Sequence, residues 1–293
     1  MEQNSKSILL KFVLLHCISY SFFAILFRTL EDPAPVTTIK YINTEFAKDV
    51  NYVLINKSEI SDTKFVNTKL NARNVLEILI SNVTTDALTN YYKEYVEPYL
   101  KKGKYTGPLR GKKGHRFFST SPSHWNSDIR WVSVDSLSTY YHLLPYFDEM
   151  DLTNIFKHII DIDTRIIIYS IFFVVRSKIR SYNFHNDFHK GTNVNGFSLL
   201  TPLQVNSSLN LAYYDINGKK RRYRYKKGIG IAFGENFIHS SDITTEENDE
   251  EVIFCFSFGT DKMRDWDVIK TTAAEQGNHY MHPRDGFAKG RYK

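Results

Sequence analysis

The feature that most constrains the fold is a series of short strand-like runs that begins at residue 165. The first run, "RIIIYSIFFVVRSKIR" at 165–180, consists mainly of β-branched and aromatic residues, which favour strands. Similar runs follow at short intervals up to residue 260, as in sandwiches and barrels. Asn217-Gly218, between two of them, is typical of a type I′ hairpin turn. The sequence therefore predicts an α+β chain, mainly β with N-terminal helices, around a jelly-roll core.

Three candidate metal ligands lie within this strand-rich region. His185 and Asp187 occur in "YNFHNDFH" at 182–189, and in a strand their side chains point to the same face. His239 follows a further apolar run and can supply the third ligand. Two imidazoles and one carboxylate on one face of a metal leave other positions open, which is the arrangement of non-haem Fe(II) oxygenases. The alternative is that all three are ordinary polar residues of a β core.

Two segments together resemble a known family. "FHNDF" at 184–188, followed by "GIAFGENFIH" at 230–239, is similar to the His-x-Asp…His pattern of the Fe(II)/2-oxoglutarate-dependent dioxygenase superfamily, especially its prolyl-hydroxylase-like and phytanoyl-CoA-hydroxylase-like branches. The resemblance covers about a third of the chain. It implies a double-stranded β-helix (jelly roll), Fe(II) and 2-oxoglutarate as cofactors, and His185, Asp187 and His239 as iron ligands. Because three protein ligands suffice, the nearby His189 is not expected to bind the metal.

The resemblance also implies a cation for the far carboxylate of 2-oxoglutarate, because an unpaired carboxylate inside a barrel costs several kcal/mol. Members of the family place an Arg or Lys just before the last strand. In this chain the corresponding stretch, "TTEENDEE" at 244–251, is acidic. The cations that could take over are Lys262 and Arg180 first, then Arg176, Lys178 and Arg264. The polar residues expected to line the pocket are Tyr182, Asn183 and Thr201.

Composition divides the chain into consecutive parts. These are an N-terminal apolar segment (1–28), a stem (29–69), a helical and loop-rich part (70–164), the metal-binding core (165–262) and a C-terminal tail (263–293). Apolar residues at helical spacing predict a helix within 70–102. A short helix is expected at 151–161, with Asp151 or Thr153 as its N-cap.

The N-terminal stretch "ILLKFVLLHCISYSFFAILF" at 8–27 is almost wholly apolar. Twenty helical residues span roughly 30 Å, the thickness of the bilayer's hydrocarbon core. Lys6 and Lys11 favour a cytosolic N-terminus, which places the rest of the chain in the ER or Golgi lumen or otherwise outside the cytoplasm. We expect a single-pass signal anchor, with a cleaved signal peptide or a buried helix as the alternatives.

Other function classes have weaker support in the sequence. The net charge of +6 is modest, and no nucleic-acid-binding motif is present, so no nucleic-acid partner is expected. "DID" at 161–163 raises a type II membrane glycosyltransferase as an alternative, with Asp161 and Asp163 binding a divalent ion. A non-catalytic, cupin-like ligand-binding barrel is a further alternative. The substrate itself is not identified, and a peptidyl group, a lipid and a small molecule all remain open.

Overall fold

The computed structural model describes residues 66–67, 69–121, 127–204, 210–244 and 250–290. The strands are β1 (Val66–Asn67), β2 (Ala72–Arg73), β3 (Val75–Leu79), β4 (Gly107–Arg110), β5 (Arg116–Thr120), β6 (Ser127–Val134), β7 (Ile167–Ile179), β8 (Gly196–Gln204), β9 (Asn210–Tyr214), β10 (Lys220–Arg224), β11 (Ile229–Gly234), β12 (His239–Ser241), β13 (Glu251–Gly259), β14 (His279–His282) and β15 (Gly286–Lys289). The α-helices are α1 (Asn82–Tyr95), α2 (Leu137–Leu143), α3 (Pro145–Glu149), α4 (Leu152–Phe156) and α5 (Trp266–Glu275).

Two antiparallel sheets form the core. The large sheet has the order β3-β11-β8-β13-β7-β6-β5-β4, and the small sheet has the order β10-β9-β12. An isolated bridge between His185 and His239 adds the segment after β7 to the free side of β12. From β7 onward the chain therefore alternates between the two sheets, except at the β9–β10 hairpin, which stays within the small sheet. This topology is a double-stranded β-helix, so the predicted mainly β fold with a jelly-roll core is confirmed.

The long strands at the centre of the large sheet are apolar on both faces because both faces are covered. On the inner face, Phe172, Leu200 and Cys255 pack against Leu211 and Tyr213 of the small sheet. The outer face is covered by helices that come earlier in the chain. There Tyr92 of α1 contacts Phe173, while Phe147 of α3 and Phe156 of α4 contact Phe258. The helices thus seal the back of the sheet and leave the space between the sheets for a site.

The predicted β9–β10 hairpin is confirmed, but its turn differs from the expected type I′. Only Gly218 of the two turn residues has a positive φ, at 70°. The Asp215 carboxylate accepts hydrogen bonds from the backbone N–H groups of Asn217 and Lys219, at 3.0 and 2.9 Å. These bonds fold the loop as an Asx-type turn, which leaves Asn217 in an ordinary conformation.

Two predicted helices are shorter than expected. The segment expected to be helical at 70–102 contains β3 first, because Val75–Leu79 pairs with β11 and completes the edge of the large sheet. The helix α1 begins only at Asn82, where the Ser81 hydroxyl accepts a hydrogen bond from Thr84 N–H. At 151–161 only α4 forms, and Asp151 holds the N-cap position with φ 58° but without a side-chain cap bond.

The segment predicted as a C-terminal tail is folded against the core. It forms α5 and the hairpin β14–β15. The Trp266 ring lies 5.3 Å from the ring of Tyr169 on β7, and Gln276 O accepts a hydrogen bond of 2.8 Å from Trp131 Nε1. The C-terminal segment is therefore part of the wall that surrounds the inner space.

The predicted membrane anchor at 8–27 lies outside the described residues. Within the part of the chain that the structure describes, no helix combines the length and the apolarity that a membrane crossing requires.

Asp261, just after the end of β13, binds the segment just before the start of the neighbouring strand β7. Its carboxylate accepts hydrogen bonds from the backbone N–H groups of Asp163, Thr164 and Arg165, at 2.7–3.0 Å, and from the Thr164 hydroxyl. Burial alone would raise the pKa of Asp261, but the bonds from these residues lower it to about 2. The charged carboxylate therefore fixes the segment that leads into β7.

We predict that Asp261→Asn lowers the free energy of unfolding by about 1–2 kcal/mol at pH 7, because an amide cannot accept all of these bonds. A depressed carboxyl pKa gives stability that is present above the unfolded value of about 3.9 and is lost as pH falls toward the folded value. The difference from wild type should therefore shrink between about pH 4 and pH 2 in urea unfolding measurements. Glu149→Gln, at an exposed position, is the control and should change little.

Candidate metal centre

Backbone pairing brings the two histidines together. His185 N–H donates to His239 O at 2.9 Å, and His239 N–H donates to His185 O at 3.0 Å. Directly opposed residues of an antiparallel pair point to the same face. Their rings accordingly lie 4.6 Å apart, and Asp187, two residues after His185, joins them on that side.

The three side chains fit one metal ion. Asp187 Oδ1 lies 3.5 Å from His185 Nε2 and 3.7 Å from His239 Nε2. All three potential ligand atoms lie within 4.8 Å of one another. Ligands about 2 Å from an ion in neighbouring positions are separated by roughly 3 Å, so only a small contraction is needed. Among the described residues, this is the one group of three or more His, Cys, Asp or Glu side chains close enough to share an ion.

Both imidazoles are held with the correct nitrogen toward the shared space. His185 Nδ1 lies 2.7 Å from Asn183 O, and His239 Nδ1 lies 3.1 Å from Phe237 O. A carbonyl oxygen can only accept, so each Nδ1 carries a proton, and Nε2 is the nitrogen of each ring that is left to bind a metal. Hydrogen bonds of this kind fix the tautomer and ring orientation of metal-binding histidines.

Electrostatics favour the protonation states that a metal needs at two of the three ligands, Asp187 and His239. Burial of Asp187 would raise its pKa, but the hydrogen bond with His185 and the charge of His239 lower it to about 2. Burial lowers the pKa of His239 to about 4. For His185 burial acts in the same direction, yet the hydrogen bond and charge of Asp187 outweigh it and raise the pKa. At neutral pH the pair Asp187 and His239 is thus an anion beside a neutral imidazole, as metal binding requires.

Surrounding residues hold the ligand segment in place. The Thr272 hydroxyl, on α5, donates to Asp187 O at 2.7 Å. The Glu235 carboxylate accepts from the N–H groups of Gly191 and Asn193, at 2.9 and 2.6 Å, and so anchors the loop after the aspartate to the turn before His239. Glu235 belongs to "GENF", part of the motif that the sequence singles out, whereas no sequence signal pointed to Thr272.

A cavity of about 610 Å³ opens beside the metal ligands. The predicted pocket residues Tyr182 and Asn183 line it, together with His185 and Asp187. The rest of the lining was not predicted from the sequence and comes largely from β6, β12 and α5. It includes Ile129, Trp131, Ser241, Thr272 and Gln276. Strands and helices outside the motif therefore shape most of this wall.

Three residues proposed for the co-substrate pocket do not line the cavity, namely Thr201, Arg180 and Lys262. Thr201 is buried on the outer face of β8, which it shares with Leu199 and Leu203 of the cluster beneath the helices. Arg180 lies just beyond the end of β7 and pairs at the surface with Asp128, at 3.2 Å. Strand alternation therefore does not carry it into the interior.

Lys262, the third of these residues, also lies away from the cavity. Its Nζ lies 2.6 Å from Asp161 Oδ1 and 3.7 Å from Asp163 Oδ1. Arg264 binds the other oxygen of Asp161 at 2.6 Å. These cations occupy the carboxylates that the glycosyltransferase alternative would need for a divalent ion. The structure therefore gives that alternative no support, because Asp161 is already paired with two cations.

One cation does lie inside the barrel. Arg176 of β7 is 3% exposed and is the only buried Lys or Arg among the described residues. The sequence named it as a secondary candidate for the co-substrate carboxylate, behind Lys262 and Arg180.

No protein-family model matches the sequence, and no curated protein is significantly similar to it. Solved structures with a similar fold include a Pseudomonas putida prolyl-4-hydroxylase, at 10% identity over 64% of this chain and 92% of that chain, with a TM-score of 0.43. An oxidoreductase of the 2OG-Fe(II) oxygenase family from Burkholderia pseudomallei is 13% identical over 47% of this chain and 70% of that chain, with a TM-score of 0.37.

A third similar structure is that of a full-length Neurospora crassa protein in complex with alpha-KG and thymine. It is 10% identical over 65% of this chain and 76% of that chain, with a TM-score of 0.42. The names of the first two structures and the alpha-KG in the third belong to the class that the sequence resembles. At such identities and TM-scores these likenesses do not assign an activity to this chain.

We predict that Asp187→Ala and His239→Ala each weaken Mn(II) binding by at least about 100-fold, because loss of even a residue that only orients a metal ligand commonly costs about 10–100-fold. Isothermal titration calorimetry with Mn(II) measures this directly. His189→Ala is the matched control, because His189 is exposed and stands outside the ligand group, so its variant should bind like wild type. If His189→Ala weakens Mn(II) binding as much as Asp187→Ala and His239→Ala do, the assignment of Asp187 and His239 as metal ligands is wrong.

Proposed function

We propose that the protein is an Fe(II)- and 2-oxoglutarate-dependent oxygenase that hydroxylates a substrate. The observation that carries this proposal is the meeting of His185, Asp187 and His239 at one opening of a double-stranded β-helix, with the Nε2 atoms of both rings on the side of the Asp187 carboxylate. Two histidines and one carboxylate with open positions are the donor set of non-haem Fe(II) oxygenases.

Bound Fe(II) would supply the redox chemistry that activates dioxygen. The reaction would convert 2-oxoglutarate, O2 and a substrate C–H bond into succinate, CO2 and a C–OH group. One oxygen atom of O2 enters succinate and the other enters the substrate. The protein's contribution is to hold the ion with three side chains, which leaves room for the co-substrate and dioxygen.

The burial of the ligands indicates the side from which the substrate enters. The side chains of Asp187 and His239 are 8% and 7% exposed, whereas that of His185 is 45% exposed. His185 therefore faces the opening and the other two face the interior. A cavity of about 610 Å³ is in the range of small-molecule sites, so it would accept a small molecule or a single side chain of a peptide.

The decisive experiment measures turnover of 2-oxoglutarate. Purified protein with Fe(II), O2 and ascorbate as reductant should convert 2-oxoglutarate to succinate slowly even without the substrate, and Asp187→Ala should abolish this. Detection of succinate by mass spectrometry provides the readout. Metal binding without any binding or turnover of 2-oxoglutarate would instead support the non-catalytic ligand-binding barrel.

The apolar stretch at 8–27 supports a further proposal on location, a single-pass anchor that holds the catalytic part in the ER or Golgi lumen. The full chain expressed in cells should stay with membranes through carbonate extraction, and a form that begins at residue 29 should not. If the full chain is released by carbonate, the segment is not an anchor.

A further inference from the structure

Strand β10 and the residues next to it carry a dense positive charge. Seven of the nine residues at 219–227 are Lys or Arg. Tyr223 belongs to the buried cluster between the sheets, so the alternate residues Lys220, Arg222 and Arg224 point to the outer face of the small sheet, where they are exposed. In an extended strand these side chains follow one another at about 6.6 Å. The outer face of the small sheet therefore ends in a regular row of cations.

Most of these cations have no acidic partner. Three of the seven, Arg221, Arg222 and Lys227, form ion pairs with nearby carboxylates. The other four form no ion pair within the part of the chain that the structure describes, and they are Lys219, Lys220, Arg224 and Lys226. The Lys220 ammonium lies 4.3 Å from the ring of Tyr182, a residue of the cavity wall. A surface with excess positive charge therefore extends from β10 to that wall.

The edge of the small sheet at β10 is open. Among the described strands, β10 pairs with β9 alone. Asp215 N–H donates to Lys219 O at 3.0 Å, and hydrogen-bonded and non-hydrogen-bonded pairs alternate along an antiparallel ladder. Lys220, Arg222 and Arg224 therefore turn their backbone N–H and C=O groups away from β9. The residues that carry the outer-face cations are thus the ones whose backbone groups face the open edge.

The charge of β10 determines which further strand this edge can accept. Pairing with β10 of a second copy would place cations opposite cations, which is unfavourable, and charged side chains on edge strands commonly prevent such pairing. A strand with acidic side chains at alternate positions would instead place a carboxylate directly across from Lys220, Arg222 or Arg224. Opposite charges at these positions stabilise the pairing. In peptides that bind by adding a strand, the backbone gives the affinity and alternate side chains give the specificity.

We propose that the open edge of β10 binds an extended acidic segment of a partner polypeptide, which adds to the small sheet as an antiparallel strand. The acidic side chains of the partner lie opposite Lys220, Arg222 and Arg224 on the outer face. This binding site is separate from the metal ligands, so it goes beyond the proposed function and does not depend on it.

The test uses the full chain and short synthetic peptides. The probe is a fluorescein-labelled peptide in which Glu and Val alternate, so that a strand presents every glutamate on one face. Fluorescence anisotropy should show that it binds at least about tenfold more tightly than a matching Lys-Val peptide. Lys220→Gln and Arg224→Gln should each weaken its binding by about twofold to fivefold, because each removes a cross-strand charge pair. Lys157→Gln is the matched control, because Lys157 is exposed next to α4, in the helical layer outside the large sheet.

Backbone methylation separates strand addition from simple charge attraction. In the proposed register the N–H groups of the glutamates point to β10, and those of the valines point away from it. N-methylation of the glutamates should therefore weaken binding by about tenfold or more, because it removes the hydrogen bonds to β10. N-methylation of the valines keeps the same charges and should leave the affinity nearly unchanged.

Three results would overturn the proposal. If the Glu-Val peptide binds no better than the Lys-Val peptide, the cations of β10 only keep the edge from pairing. If both methylated peptides bind alike, the attraction is one of charge alone. If a single-stranded oligothymidylate binds more tightly than the Glu-Val peptide, the surface belongs to a nucleic acid. Mn(II) affinity should be unchanged in the β10 variants, so none of these results bears on the metal centre.

Discussion

The site depends on one pair of backbone hydrogen bonds, those that His185 and His239 exchange across the barrel opening. This pair fixes the distance between the two imidazoles. The carbonyls of Asn183 and Phe237, each two residues earlier in the chain, then fix which ring nitrogen is free. The same local arrangement thus occurs twice. Because the main chain sets both rings, the ligand geometry is present before any ion binds, and little reorganisation opposes binding.

The barrel fixes the metal ligands, but the parts around it shape the cavity. Trp131 comes from β6, before the core, and Thr272 and Gln276 come from α5 and its end. These two parts are joined by the bond from Trp131 Nε1 to Gln276 O, and Ser170 of the neighbouring strand β7 donates to the Gln276 side chain. The substrate would therefore meet surfaces that the metal-binding motif does not encode, which is why the motif predicts a reaction class and leaves the substrate open.

The sequence predicted the features that depend on local pattern. The strand at His239 and the Asn217-Gly218 hairpin follow from alternation and turn chemistry. The segment at 182–189, expected to be a strand, forms only a single bridge at His185, yet that bridge suffices to bring Asp187 to the side of the two histidines. The prediction from sequence failed where pairing with a strand far along the chain determines the local structure. Val75–Leu79 has residues compatible with a helix but becomes a strand because β11 offers an open edge. The predicted positions of Thr201 and Arg180 were wrong for a related reason. The face on which a residue lies depends on where its strand begins and ends and on which strand it pairs with, and the sequence of one segment alone does not determine these.

Arg176 also creates a need for charge balance inside the barrel. In the large sheet, β7 and β13 are neighbours, and Arg176 is paired directly with Glu251 at the start of β13. Both side chains are buried and face the space between the sheets, and Arg176 Nε lies 3.5 Å from Glu251 Oε2. A lone guanidinium would be costly in this interior, so the acidic residue on β13 balances the charge that β7 brings in.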